Sequence, residues 1–143
     1  KKRLTSPNVS FCQADAEALP LADSSFDAGV CAYGIRNIQN RNNAFAEVYR
    51  VLRPGATFAI AELTRPSGSI LKSLHSIYLH TMVPLIGRAI TSNEQAYKYL
   101  CNSIEAFVPA EQIVKELTAS GFGMIEAKPQ TFGIATLFFA KKA

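Results

Sequence analysis

The stretch FDAGVCAYGIRN, residues 26–37, decides how this chain is expected to fold. Its first eight residues, Phe26 to Tyr33, are mostly apolar, which is typical of a strand buried on both faces of a parallel sheet. Gly34 then opens a turn that contains two polar residues, Arg36 and Asn37. The stretch therefore predicts a strand of a parallel sheet with a polar turn at its end.

The elements on either side of this stretch follow a strand, helix, strand pattern. Val9 to Gln13 is predicted to be a short strand. Arg41 to Leu52 has apolar residues at helical spacing, and Thr57 to Leu63 is predicted to be a further strand. Short loops between such elements favour an α/β fold with a parallel sheet, and right-handed crossovers place its helices on the faces of that sheet.

The pattern changes after residue 68. Residues at about 69–107 have helical spacing with a break at Pro84, include a second predicted helix from Asn93 to Phe107, and are interpreted as a helical insertion. Gly121 suits the C-terminal cap of the next helix. Two strands follow, Phe122 to Lys128 and Ile134 to Ala140, and the loop between them is too short for a parallel crossover. They are therefore expected to form an antiparallel hairpin.

Composition limits the classes of protein to which the chain belongs. The 143 residues fit a single domain, 1–143, and 48% hydrophobic with 18% charged residues predicts a packed core. The three cysteines are widely spaced, which indicates free thiols in a reducing cytoplasm and no metal site. No apolar run reaches the roughly 18 residues of a membrane span, and Lys1-Lys2-Arg3 leads into polar residues rather than a signal peptide. The net charge of +4 is scattered, so nucleic acid is not an expected partner, although contact with an anionic membrane surface stays open.

Four segments occur in an order that resembles one enzyme family. They are DAEALP at 15–20, GIRN at 34–37, YRVLRPG at 49–55 and YKYLCNSI at 97–104. This set is similar to that of the ubiquinone/menaquinone biosynthesis C-methyltransferases. The resemblance implies the α/β, Rossmann-like sheet of class I methyltransferases, S-adenosylmethionine as methyl donor, and a polyprenylated benzoquinol or naphthoquinol as acceptor. Which of the two quinols is methylated is left open.

The resemblance also implies cofactor-binding residues. Asp15 and Ala16 would bind adenine, the carboxylate accepting from the amino group and the Ala16 N–H donating to a ring nitrogen. Ala32 matches a position that lines the cofactor, although an alanine offers only its backbone or its packing surface. For Asp15 the alternative is a local turn, which loop aspartates commonly form, and for Ala32 it is an ordinary place in the core.

Arg36 and Asn37 are the expected catalytic residues. Methylation of a ring carbon ortho to a phenol proceeds through the phenolate, and a fixed guanidinium favours that anion. An arginine keeps its own proton, so water or a histidine is the more plausible base. For His75 and His80, on the predicted insertion, a surface or helix-packing role is favoured over that of a base. The alternatives are a surface pair between Arg36 and an acid such as Glu62, and a helix-capping or orienting role for Asn37.

The family's pattern normally includes two strands before Val9, the first followed by a glycine-rich loop. Residues 1–8 contain no glycine and cannot replace them, so the chain is interpreted as an N-terminally incomplete domain that is inactive alone. The strand at Phe26 would then have an open edge. That edge is expected to pair with the Val9 strand or with another chain, which would give a homo-oligomer. The alternative function is a catalytically silent α/β module that associates through this edge or through the helical insertion.

Overall fold

The computed structural model describes residues 8–66 and 94–143, together with the single positions Ser73, Ile77 and Thr81. Most of the predicted insertion, including His75 and His80, lies outside these residues. Elements are numbered below along the part of the chain that is described.

Four strands form one mixed sheet in the order β1-β2-β4-β3. β1 (Phe26–Ala32) runs parallel to β2 (Leu52–Leu63), and β4 (Ala135–Lys142) pairs antiparallel with both β2 and β3 (Phe122–Gln130). In the register, Val30 lies opposite Ala59, and Ala59 lies opposite Phe139. The predicted α/β sheet with a C-terminal antiparallel hairpin is confirmed.

Three helices accompany the sheet: α1 (Arg41–Val51), α2 (Glu94–Ala106) and α3 (Ala110–Ala119). Helix α1 agrees with the helix predicted from Arg41 to Leu52. Helix α2 agrees with the C-terminal part of the predicted insertion. A helix that ends just before Gly121 was also expected, and Gly121 has the positive φ of +99° that favours glycine at this position.

The core lies between one face of the sheet and the helices α1 and α3. Phe58 of β2 packs against Phe45 of α1 and stacks on Phe122 of β3, with ring centroids 6.3 Å and 5.9 Å away. Ile113 and Leu117 of α3 are fully buried beside them. Because side chains alternate along a strand, the residues between these positions face the other side of the sheet, where burial is only partial.

The predicted strand from Val9 to Gln13 is wrong. These residues form no strand, and both Val9 and Phe11 are exposed. A strand is defined by backbone hydrogen bonds to a neighbouring strand, and this segment pairs with no strand of the described sheet. The expected pairing of this segment with the open edge of β1 is therefore also wrong within the chain, and pairing with another chain stays a prediction.

Candidate functional site

The turn Gly34–Asn37 lies at the carboxyl end of β1, where β1 and β2 end together. Tyr33 links the strand to the turn, and its N–H donates to the carbonyl of Ala61 at 2.7 Å. Its φ of +55° is in the left-handed region, which costs a non-glycine residue about 1–3 kcal/mol. Residues 35–37 then form a short 3-10 helix, and Ile35 is buried in the core. The backbone of the turn is thus attached to both the sheet and the core.

Arg36 and Glu62 form a buried ion pair at this end of the sheet. Glu62 Oε1 accepts from Arg36 Nη1 at 2.6 Å and from the Leu63 N–H at 2.9 Å, while Oε2 accepts from the Arg36 N–H at 3.2 Å. The Arg36 side chain is only 9% exposed and that of Glu62 is fully buried. The pairing that the sequence offered as an alternative is therefore present, but it is not a surface pair.

Two further contacts fix the orientation of the Arg36 guanidinium. Nη1 also donates to the carbonyl of Tyr33 at 2.8 Å, and Nε donates to Ser103 Oγ of α2 at 3.3 Å. Residues 8–66 and 94–143 provide no acceptor for Nη2. Nε and Nη1 are thus held by the protein, while Nη2 is left for an acceptor from outside these segments.

Asn37 contacts α2 rather than capping a helix. Its Oδ1 accepts from the hydroxyl of Tyr99 at 2.8 Å. The capping role offered for Asn37 is wrong because α1 begins at Arg41, and Asn40 Oδ1 accepts the capping hydrogen bond from the Asn43 N–H at 3.2 Å. Asn37 therefore links the turn to α2.

Asp15 and Ala16 lie in a tight turn of their own. The Ala18 N–H donates to the Asp15 carbonyl at 3.1 Å, and Asp15 Oδ1 accepts from the Glu17 N–H at 2.9 Å. The local turn considered as an alternative is thus formed, but Asp15 is exposed and its Oδ2 has no partner among the residues described. Both the turn and a role in adenine binding are compatible with this geometry.

An apolar cavity of about 260 Å³ lies beside this turn, between β1, α1 and residues 16–21. Ala16 lines it, together with core side chains such as Phe45 and Val48. Ala32 does not line it. Ala32 is exposed at the end of β1, opposite Ala61, which excludes the place in the core that was considered for it.

Glu47 and Arg50 of α1 hold the loop that follows Asp15. Glu47 Oε2 accepts from the Leu19 N–H at 2.8 Å, and Arg50 Nη2 donates to the Leu19 carbonyl at 3.0 Å. Hydrogen bonds from Arg50 and from the Leu19 N–H lower the pKa of Glu47 to about 2. Sequence reasoning assigned no role to either residue, although Arg50 lies within the YRVLRPG segment and was a signal that could have been used.

The site contains no obvious metal-binding chemistry in the part of the chain described. No three His, Cys, Asp or Glu side chains are grouped so that they could hold a metal ion there. Within the same residues, no helix has both the length and the apolar character that crossing a membrane requires.

Solved structures define the class of fold. The chain superposes on a SAM-dependent methyltransferase from Thermotoga maritima with a TM-score of 0.57 and 16% identity, covering 90% of this chain and 61% of that protein. It superposes on the [4+2]-cyclase SpnF with a TM-score of 0.66 and 18% identity, covering 96% and 57%. The class I methyltransferase fold is confirmed, and at such identities the likeness concerns the fold alone.

Sequence relatives define the family. The model of the ubiE/COQ5 methyltransferase family matches residues 1–142, and the chain belongs to that family. It is 41% identical over 137 residues to the ubiquinone/menaquinone biosynthesis C-methyltransferase UbiE of Campylobacter jejuni, covering 95% of this chain and 58% of that protein. It is 38% identical over 133 residues to the demethylmenaquinone methyltransferase of Protochlamydia amoebophila, covering 93% and 55%. The chain thus spans somewhat more than half the length of these relatives.

Proposed function

We propose that the protein to which this chain belongs transfers a methyl group from S-adenosylmethionine to a ring carbon of a polyprenylated benzoquinol or naphthoquinol. The names of the relatives support this acceptor class, since one is a demethylmenaquinone methyltransferase and another serves ubiquinone and menaquinone biosynthesis. The structural observation that supports it most directly is the Arg36 guanidinium at the end of β1 and β2, whose Nε and Nη1 are held by the protein while Nη2 has no acceptor among the described residues.

The residues that would hold the cofactor fit its adenine end. Asp15 retains an exposed carboxylate oxygen, and Ala16 is small and lines the edge of an apolar cavity. Ala32 would line the site through its backbone, next to the turn. Bound S-adenosylmethionine would supply an electrophilic methyl group. We propose that the methionine end of the cofactor is held by the glycine-rich loop that the family resemblance places before Val9.

The acceptor would bind with its phenol oxygen at Arg36. A guanidinium that is already oriented favours the phenolate without reorganisation, and a site largely shielded from water strengthens that effect. Arg36 stays protonated, so the phenol proton passes to water or to a histidine. Asn37, the second proposed catalytic residue, would donate through its side-chain amide while its Oδ1 accepts from Tyr99.

The polyprenyl tail implies a membrane nearby. We propose that the tail lies along the helical insertion and that the protein acts in the cytoplasm, at the surface of the inner membrane. Phe132 supports this arrangement because it is 82% exposed at the tip of the β3–β4 hairpin. That tip lies at the same end of the strands as Arg36. Thr64 follows the carboxyl end of β2, and its N–H donates to the carbonyl of Ile134 beside the hairpin tip.

The test is calorimetric binding of S-adenosylhomocysteine by two proteins. One is this chain. The other is a chimera in which the unmatched portion of the Campylobacter jejuni relative supplies the strands expected before Val9. We expect micromolar binding by the chimera and much weaker binding by the chain alone. Equal tight binding by both would show that the chain suffices, and binding by neither would contradict the proposed function.

A second candidate is a catalytically silent module that associates through β1. The open edge of β1, with Val30 78% exposed, favours it. Absence of S-adenosylhomocysteine binding by both proteins, combined with tight self-association of the chain, would support this candidate instead.

A further inference from the structure

One face of α2 contacts the turn that contains Arg36. Tyr99 donates from its hydroxyl to Asn37 Oδ1 at 2.8 Å, and Ser103 accepts at Oγ from Arg36 Nε at 3.3 Å. Residues four apart lie side by side on a helix, so Tyr99 and Ser103 reach neighbouring residues of the turn from a single face. The GIRN and YKYLCNSI segments of the sequence are therefore in direct contact.

The Ser103 hydroxyl is oriented to accept from Arg36. Its proton is donated to the carbonyl of Leu100 at 2.8 Å within the same helix, which leaves the oxygen lone pairs for Nε. Cys101 and Ile104, on either side of Ser103, are buried and attach α2 to the protein. Ser103 is thus a fixed acceptor on a fixed helix.

We propose that α2 positions the acceptor-binding residues, with Ser103 orienting the Arg36 guanidinium and Tyr99 orienting the Asn37 amide. This inference rests on the proposed function of Arg36 and Asn37. Glu62 and the Tyr33 carbonyl hold Nη1 from the sheet, and Ser103 holds Nε from the helix. Together they determine the direction in which Nη2 points, so Ser103 and Tyr99 are positioning residues that need not touch the substrate.

The first test is methyl transfer, in whichever of the chain and the chimera binds S-adenosylhomocysteine. Ser103→Ala should lower kcat roughly tenfold, as expected for one lost hydrogen bond in the transition state. KM for S-adenosylmethionine should not change, because Asp15 and Ala16 are untouched. Ser103→Thr keeps the hydroxyl and should keep the activity, and Tyr99→Phe should behave like Ser103→Ala.

Thr118→Ala is the matched control. Thr118 Oγ1 likewise donates to a carbonyl of its own helix, that of Val114, but it lies on α3 away from the turn. This variant should leave kcat and KM unchanged. Equal kcat in the Ser103→Ala and Ser103→Thr variants, or an equal loss in Thr118→Ala, would overturn the positioning role.

A second readout does not depend on methyl transfer. The pKa of bound 4-nitrophenol, followed by absorbance on this chain, should lie below its value in buffer. Ser103→Ala should reverse part of the shift, Ser103→Thr should preserve it, and Arg36→Gln should abolish it. An unshifted pKa in the unmodified chain would contradict the proposed role of Arg36. A shift that Arg36→Gln removes but Ser103→Ala leaves intact would overturn the positioning role alone.

Discussion

At the scale of single residues, the buried carboxylate of Glu62 determines how Arg36 is held. Ala56, Phe58 and Ile60 are buried at every second position of β2, and Glu62 continues that series. Its burial could therefore have been predicted from the alternation. Its partner could not, because Arg36 lies 26 residues away and the contact depends on how the sheet assembles. A buried carboxylate of this kind is tolerated only while its partner is present.

Removing the charge of Glu62 should therefore destabilise the fold. We expect Glu62→Gln to lower the free energy of unfolding by about 3 kcal/mol, since it leaves the Arg36 guanidinium buried without a counter-ion. The matched control is Glu116→Gln, which breaks the Arg41–Glu116 pair. Those side chains are 20% and 10% exposed, so we expect a loss of about 1 kcal/mol. Urea unfolding measures the free energy lost by each variant. Equal losses in the two variants would contradict the special dependence of the fold on the buried Glu62 carboxylate.

Glu47 makes stability depend on pH. Its pKa is lowered to about 2 by Arg50 and the Leu19 N–H, so its contribution is complete above the ordinary glutamate pKa of about 4.5 and is lost as pH falls toward 2. Unfolding free energies of the unmodified chain and of Glu47→Gln should therefore differ at pH 6 and converge as the pH approaches about 2. A difference that is constant across this range would show that Glu47 acts without its charge.

At the scale of helices and strands, the local sequence pattern predicted an element correctly wherever that pattern by itself determines whether the segment is a helix or a strand. The strand at Phe26, the helix at Arg41 and the final hairpin were all predicted within a few residues. Val9 to Gln13 has the pattern of a strand but pairs with no described strand, and a local pattern does not reveal whether a segment will find a partner. In the site, Arg36 and Asn37 were identified by resemblance. Tyr99 and Ser103 were not assigned to them because their contacts join segments more than 60 residues apart.

The boundary between α3 and β3 requires a glycine at position 121. The φ of Gly121 is +99°, and a Cβ there would lie 3.1 Å from Cζ of Tyr49. Gly121→Ala should therefore cost about 1–3 kcal/mol. Gly123→Ala is the control, since no atom lies within 4 Å of a Cβ at that position, and it should change stability by less than about 0.5 kcal/mol. Thermal unfolding measures the stability lost by each variant. Similar losses would show that the positive φ at Gly121 does not require glycine.

At the scale of the whole molecule, the two faces of the sheet are packed unequally by the described helices. α1 and α3 pack on the face of Phe58 and Phe138, whereas Val30 and its neighbours on the other face are partly or largely exposed. β1 is also an edge strand with an apolar sequence. Exposed edges of this kind promote pairing with other chains.

We therefore expect the isolated chain to self-associate through β1. Val30→Lys should weaken that association roughly tenfold, because a buried valine contributes about 1.5 kcal/mol and a lysine resists burial. Thr118→Lys, which adds the same charge on an exposed position of α3, should have no such effect. Sedimentation velocity over a range of concentrations distinguishes these outcomes, and a chain that is monomeric throughout would contradict the expectation.

The strand order has a consequence for biosynthesis. β4 lies between β2 and β3, yet residues 135–142 leave the ribosome after every other strand of the sheet. Until they emerge, β3 has no described strand to pair with, and β2 lacks one of its two neighbouring strands. The nascent chain can form β1, α1 and β2 early. Its four-stranded sheet is completed only when β4 inserts between β2 and β3, a late and cooperative step that depends on long-range contacts.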